Sequence, residues 1–203
     1  MWKRYKVELQ IDGPFAAALP KTEEEIKSMI ENRMPSNKPD DAKPIDDLIE
    51  QVSGEVGVDK FQPGWATFKC DENGLYYEGR CVRGHIKDCA LQVAKILDIL
   101  AFKAKVSNNV YVETDKITLL KQAPDGFEKR FIQVMTRQGP RSTYKYIDYI
   151  NSPKLEFVLK LLERGPITVK HLETIFEYGG VHGIGQERSQ GWGRYTLVGI
   201  NEM

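Results

Sequence analysis

Tyr5, Val7, Leu9 and Ile11 alternate with Lys6, Glu8 and Gln10, so residues 4–11 predict a strand with one buried face, ended by Asp12-Gly13-Pro14. From Thr22 the period becomes helical. Ile26, Met29 and Ile30 form a narrow stripe behind a Thr22/Glu25 capping box, and beyond Pro35, Pro39 and Pro44 a second short helix carries Ile45, Leu48, Ile49 and Val52. A hairpin is expected next, with 65–68 and 75–77 on either side of Asp71-Glu72-Asn73-Gly74. The most apolar helix is predicted over 85–101, where Ile86, Ala90, Val93, Leu97 and Leu100 recur at helical spacing. Strands follow at 110–112 and 117–120, then at 129–137 and 142–149 joined by Gln138-Gly139-Pro140-Arg141, then at 155–162. Thr168 is placed to cap a helix bearing Leu172, Ile175 and Phe176 that ends near Tyr178, and the last strand spans 194–200.

Without the insertion and hairpins, the order is strand, helix, strand, strand, helix, strand. That is the βαββαβ order of an α+β, ferredoxin-like (RRM-like) core. Residues 1–203 then read as one such domain, with 20–55 as an acidic helical insertion or lid and 120–150 as an inserted β-hairpin. A chain of 203 residues accommodates one domain with an insertion, or two small ones.

Charge adds a local signal. The 29 basic and 29 acidic residues cancel, which argues against a generic polyanion binder. Residues 1–60 hold 9 Lys and Arg against 13 Asp and Glu, whereas 126–146 hold Lys129, Arg130, Arg137, Arg141 and Lys145 against Glu128 alone. A nucleic-acid footprint would therefore be confined to part of the surface. Cys70, Cys81 and Cys89 are odd in number and lack paired spacing, so neither a zinc site nor a disulfide framework is expected. No metal or cofactor, no membrane contact and a reducing, cytoplasmic setting are the corresponding expectations.

Three stretches carry candidate chemistry. The first is 179–195, where six of seventeen residues are glycine and Arg188, Ser189, Trp192 and Arg194 stand among them. Such a loop brings backbone N–H groups into a concave nest for phosphate oxygens, Arg188 and Arg194 add forked donors, and Trp192 is available to stack a base. The alternative is a hairpin connection that turns the last strand back. No Gly-Lys-Ser/Thr follows, and the loop precedes a strand instead of opening a helix, so neither a P-loop nor a dinucleotide fingerprint fits. The second stretch is the start of the 85–101 helix, where Arg80, Arg83, His85 and Lys87 join free N–H donors and the positive dipole end; the alternative is a solvated first turn. In the third, Tyr144, Tyr146 and Tyr149 interleave with Arg137, Arg141 and Lys145, rings for bases and cations for phosphates, though tyrosines also pack on strands for their own sake.

Gly183-x-Gly185-x-x-Arg188-Ser189-x-Gly191-x-Gly193-Arg194, after a short helix and before a final strand, resembles the glycine-rich loop of the RAMP superfamily. Those are the repeat-associated proteins of CRISPR systems that bind, and sometimes cut, guide RNA. The layout is closest to the backbone-type subunits. In those subunits a glycine-containing turn and a basic helix start touch the RNA backbone; Arg80, Arg83, His85 and Lys87 stand in that place here, without the usual Pro-Gly-Ser-Ser opening. The resemblance implies a ferredoxin-like fold, single-stranded guide-type RNA as partner, and other copies or sister subunits beside it.

A metal-independent endoribonuclease is a second reading. It needs a base for a 2′-OH and an acid for the leaving 5′ oxygen. His85 and His182 are the candidates, assisted by Tyr144 or Lys87, while His171 reads as structural. Processing members of the superfamily carry a catalytic histidine early in the chain, and residues 1–84 contain none. Members that cut target RNA use an acidic residue after the first strand; Asp12, Asp40 and Asp41 are available, with no motif to select among them. A third reading is an assembly protein that keeps the fold without RNA and docks its acidic insertion on the basic strands of a neighbour.

Overall fold

A computed structural model describes residues 1–16, 19–33, 44–56, 64–136 and 138–203. Its elements, in order, are β1 (Trp2–Ile11), β2 (Pro14–Ala16), β3 (Leu19–Pro20), α1 (Glu23–Arg33), α2 (Ile45–Val56), β4 (Trp65–Thr67), β5 (Lys69–Asp71), β6 (Gly74–Glu78), α3 (Gly79–Val93), α4 (Phe102–Asn109), β7 (Val110–Val112), β8 (Lys116–Thr118), β9 (Gly126–Thr136), β10 (Gly139–Asn151), β11 (Lys154–Leu162), α5 (Val169–His182) and β12 (Tyr195–Glu202). They fall into two units, residues 1–16, 76–121 and 150–203 in one and 17–75 and 122–149 in the other.

The first unit holds a four-stranded sheet in the order β12-β1-β11-β7, antiparallel throughout. With α3 between β1 and β7 and α5 between β11 and β12, this is the βαββαβ ferredoxin-like topology. The odd positions of β1 are buried: Tyr5, Val7, Leu9 and Ile11 join Leu155, Phe157, Leu159 and Leu161 of β11, covered by Val82, Ile86, Cys89 and Val93 of α3 and by Leu172, Ile175 and Phe176 of α5. The even positions form a charged face whose ions pair with one another. Lys6 and Lys154 each contact both Glu8 and Glu156, and Arg4 and Lys160 share Glu113. In an RRM this is the face that presents stacking aromatics; here Trp2, 40% exposed, meets Tyr111 of β7 edge-on at 5.2 Å beside these ion pairs.

The central helix begins at Gly79, six residues before the expected start, and ends at Val93, well short of residue 101. Glycine is required at the start because a Cβ there would overlap the Thr114 carbonyl, while the Gly79 N–H donates to the Asp115 carbonyl at 2.8 Å. At the other end, left-handed Asp98 (φ 51°) and Ala101 (φ 53°) turn the chain into α4, an element the periodicity does not announce. Phe102 and Val106 of α4 enter the core, and Leu100, the last member of the predicted stripe, is left 89% exposed.

α5 starts where predicted. The Thr168 hydroxyl accepts from the His171 N–H at 3.4 Å, and the Thr168 N–H donates to His171 Nδ1 at 3.2 Å, a reciprocal capping box that gives His171 its role. Thr168→Ala should lower stability by about 1 kcal/mol, read as a drop in the urea midpoint; an unchanged midpoint would mean the cap contributes nothing.

In the second unit the Thr22 hydroxyl donates to Glu25 Oε2 at 2.7 Å and accepts from the Glu25 N–H at 3.4 Å, opening α1 as expected. Ile26 packs with Leu19, Met29, Ile30 and Val52. The strand at 65–67 corrects the expected hairpin: β4 pairs in parallel with β10 and antiparallel with β3, and the Asn73-Gly74 turn follows β5 instead. Asn73 is held there by an N–H bond to Asp71 Oδ1 at 2.9 Å. β9 and β10 form the predicted ribbon. Its register pairs Gly139 with Thr136, so Pro140 and Arg141 belong to β10 and not to the turn.

Candidate nucleic-acid interface

The helix before the glycine-rich loop does not stop at Tyr178. α5 continues through Gly179 and Gly180 to His182, although each glycine weakens a helix by about 1 kcal/mol relative to alanine. Close packing explains both. A Cβ on Gly179 would run into the Tyr195 hydroxyl and His85 Nε2, and one on Gly180 into the Tyr195 carbonyl.

The loop proper has four left-handed glycines, Gly183 (φ 82°), Gly185 (φ 87°), Gly191 (φ 81°) and Gly193 (φ 69°). Its base is pinned. Ile184, 1% exposed, donates its N–H to the Gly193 carbonyl at 2.8 Å, Gly193 donates to the Pro14 carbonyl at 2.9 Å, and Gln186 bridges to Ala16. The Gln190, Gly191 and Trp192 N–H groups donate to the Glu187 and Arg188 carbonyls. The N–H groups of Gly183, Ile184 and residues 190–193 are thus taken up within the protein, and the nest expected from the glycine spacing is not open at those positions. Solvent meets side chains at the tip instead: Arg188, Ser189, Gln190 and Arg194 are exposed, and Trp192 is partly buried.

Arg188 is held over α3. Its Nη1 donates to Asp88 Oδ2 at 3.2 Å and lies 2.8 Å from His182 Nε2, which is itself 3.2 Å from Asp88 Oδ2. Burial pulls the Asp88 carboxyl upward, but Arg188 and His182 beside it outweigh this and hold it below its ordinary value. A shallow recess next to this cluster is lined by His182, Gly185, Gln186, Glu187, Arg188 and Ser189.

The basic residues of α3 do not converge on the loop. Arg80, in the first turn, pairs with Glu78 at 2.7 Å. Arg83 lies over the Tyr111 ring, 4.5 Å from its centre, with Nη2 donating to the Ser107 carbonyl at 3.4 Å; its Nε is buried without a partner. Lys87 is partly exposed. The loop touches α3 at Asp88, eight residues and about 12 Å along the axis from Arg80. Because the helix starts at Gly79, the cluster from Arg83 to Lys87 occupies its second and third turns, away from the free N–H groups of its end.

His85 and His182 do meet, with ring centres 6.3 Å apart and planes at 20°, but not across an open site. His85 is 6% exposed and bonds the Tyr195 hydroxyl at 2.9 Å. Burial, followed by the neighbouring His182 and Arg188, pushes its pKa down to about 3, so its ring is neutral and unable to donate a proton to a ligand at neutral pH. Burial likewise pushes the Cys89 thiol beside it up to about 12. Tyr144 belongs to the second unit.

In that unit the β9–β10 ribbon separates what the sequence interleaves. Successive strand residues point to opposite faces, so Tyr144 and Tyr146 share one face and Arg141 and Lys145 the other. The tyrosines gain their cation from across the ribbon: Lys129 Nζ lies 4.0 Å from the centre of the Tyr144 ring and 5.7 Å from that of Tyr146. Tyr146 stacks on Trp65 at 5.1 Å, and Phe131 meets Tyr144 edge-on at 5.7 Å. Phe131 is 64% and Tyr144 50% exposed. On the other face Arg130 pairs with Glu128, and Arg141 with Gln138. Trp65 and Phe131 were not among the residues singled out by sequence, and Lys129 entered only as part of the basic stretch 126–146, because only the pairing register reveals their company. Arg137, Asp40 and Asp41 lie outside the described residues.

Among the described residues no cluster of three metal-ligating side chains occurs, and no helix is long and apolar enough to cross a membrane. No family model and no curated protein matches the sequence. The fold comparison includes a chain of a cryo-EM structure of the Type III-B Cmr-beta bound to cognate target RNA, at 12% identity and a TM-score of 0.48, covering 100% of the present chain and 61% of that one. The present chain is therefore similar to less than two thirds of that chain's length, and its ferredoxin-like assignment stands on its own strand order, β12-β1-β11-β7.

Proposed function

We propose that this protein binds single-stranded RNA in the manner of a RAMP-type subunit, with Arg188, Ser189 and Arg194 of the glycine-rich loop holding phosphates. The observation that carries the reading is the loop's construction: left-handed glycines and a pinned base raise a tip whose exposed side chains include two guanidinium groups and a hydroxyl. Contacts of this kind come from side chains, since the loop's own carbonyls take up much of its N–H capacity. The ring face of the β9–β10 ribbon, with Tyr144, Phe131 and Lys129, offers stacking surface on the second unit. Assembly with sister subunits belongs to the same reading. Cleavage would need a second exposed proton-transfer group beside His182, and buried His85 does not supply one.

The test is fluorescence anisotropy with labelled single-stranded RNA and DNA across about 50 to 200 mM salt, where phosphate contacts make affinity fall steeply. Arg188→Ala with Arg194→Ala should weaken RNA binding at least about tenfold, since hydrogen bonds to charged groups contribute roughly 1.5–3 kcal/mol each. The thermal midpoint should stay nearly unchanged, because exposed ion pairs stabilise little. Normal binding by the double variant would reduce the loop to a turn.

A further inference from the structure

The way Arg188 is held says more about how the loop would grip a phosphate. Arginine only donates. Nη1 lies 2.8 Å from His182 Nε2, and that ring nitrogen is itself 3.2 Å from Asp88 Oδ2, so the three polar atoms close a triangle. Nη1 donates to Asp88 Oδ2 at 3.2 Å. Asp88 and His182 therefore meet the same nitrogen of Arg188. Among the described residues Nε and Nη2 make no hydrogen bond, and together they form an edge that matches the two free oxygens of one phosphodiester.

We propose that Asp88 is a positioning residue: with His182 it clamps Nη1 of Arg188 and so aims the Nε/Nη2 edge at a single phosphate of the bound strand. Asp88 sits on α3, whose Ile86, Cys89 and Ala90 are buried in the core, so the clamp is anchored to the rigid part of the unit. Its own contribution to the fold is small, because the Asp88 and Arg188 side chains are 42% and 41% exposed. What the clamp removes is the freedom Arg188 would otherwise lose on binding. The carboxylate also repels the ligand it helps to seat, so its charge and its acceptor oxygen act in opposite directions.

The inference rests on the RNA-binding reading, and two substitutions separate charge from grip. Asp88→Ala removes both and should weaken RNA binding about three- to tenfold, the range expected for freeing one long side chain. Asp88→Asn keeps an acceptor for Nη1 without the charge and should bind at least as tightly as the wild type. Equal weakening in both variants, or no change in Asp88→Ala, would overturn the assignment. A measurement without RNA decides the clamp separately: nitrogen-15 relaxation of the Arg188 Nε–H should show a more ordered side chain in the wild type than in Asp88→Ala, and equal order in the two would refute it. A wild type that binds no RNA would sink the RNA-binding reading alone, leaving the clamp to stand or fall on the order of the Arg188 side chain.

Discussion

Gly193→Ala should destabilise the protein by about 3–5 kcal/mol, a large fraction of the roughly 5–15 kcal/mol that a folded domain has in hand. Two effects add. At φ 69° an alanine is strained, and its Cβ would overlap the Ile184 carbonyl and crowd its carbon at 2.9 Å and its nitrogen at 3.2 Å. The Ile184 N–H bond to the Gly193 carbonyl would have to open to relieve the clash, exposing a buried isoleucine. Gly191→Ala is the matched control. Its φ of 81° imposes similar strain, but a Cβ there meets nothing nearer than Arg194 at 3.7 Å, so about 1 kcal/mol is expected. Urea unfolding of both variants checks the difference. Equal losses would mean that the loop's base does not need the close approach of Ile184 that Gly193 allows.

Acid should destabilise the wild type by about 2 kcal/mol between pH 7 and pH 5 through His85 alone. The sign follows from burial. The folded pKa is pushed down to about 3 from an ordinary 6.5, so below 6.5 the unfolded chain takes up a proton that the folded protein refuses. Stability from this group is complete above the unfolded value and is lost as pH falls toward 3. The paired carboxylates, Glu8, Glu113, Glu156 and Glu202 among them, are lowered from 4.5 and act below this window. In His85→Leu with Tyr195→Phe, which also removes the hydroxyl that would lose its partner, the difference between the urea midpoints at pH 7 and pH 5 should shrink accordingly. A double variant as acid-sensitive as the wild type would show that the proton goes elsewhere. The same burial explains why His85 contributes to packing around Gly179 and Tyr195 and leaves His182 as the ring beside the loop.

Signals that act over a few residues were legible. The alternation in β1, the Thr22 and Thr168 caps and the Asn73-Gly74 turn each depend on neighbours within four positions, and each forms as read. The strand and helix order of the first unit followed from them, and with it the ferredoxin-like topology.

Three features depended on residues far away in sequence. α3 starts at Gly79 because the Thr114 carbonyl leaves no room for a side chain, and α5 runs through two glycines because Tyr195 and His85 press against them. Neither reason is present in the helical period. The loop's glycines were visible as glycines, but whether their N–H groups faced a ligand or their own chain was set by Pro14, Ala16 and Ile184 folding onto them. Likewise, Asp88 looked like one more polar residue on a basic helix until the chain brought Arg188 and His182 to it across about a hundred positions. What the order of amino acids settled alone was backbone preference, because each residue's own stereochemistry and its nearest neighbours govern φ and ψ. Which side chains share a face, which donors remain open and which histidine stays neutral were settled by packing, because excluded volume and burial come from whatever the folded chain places alongside.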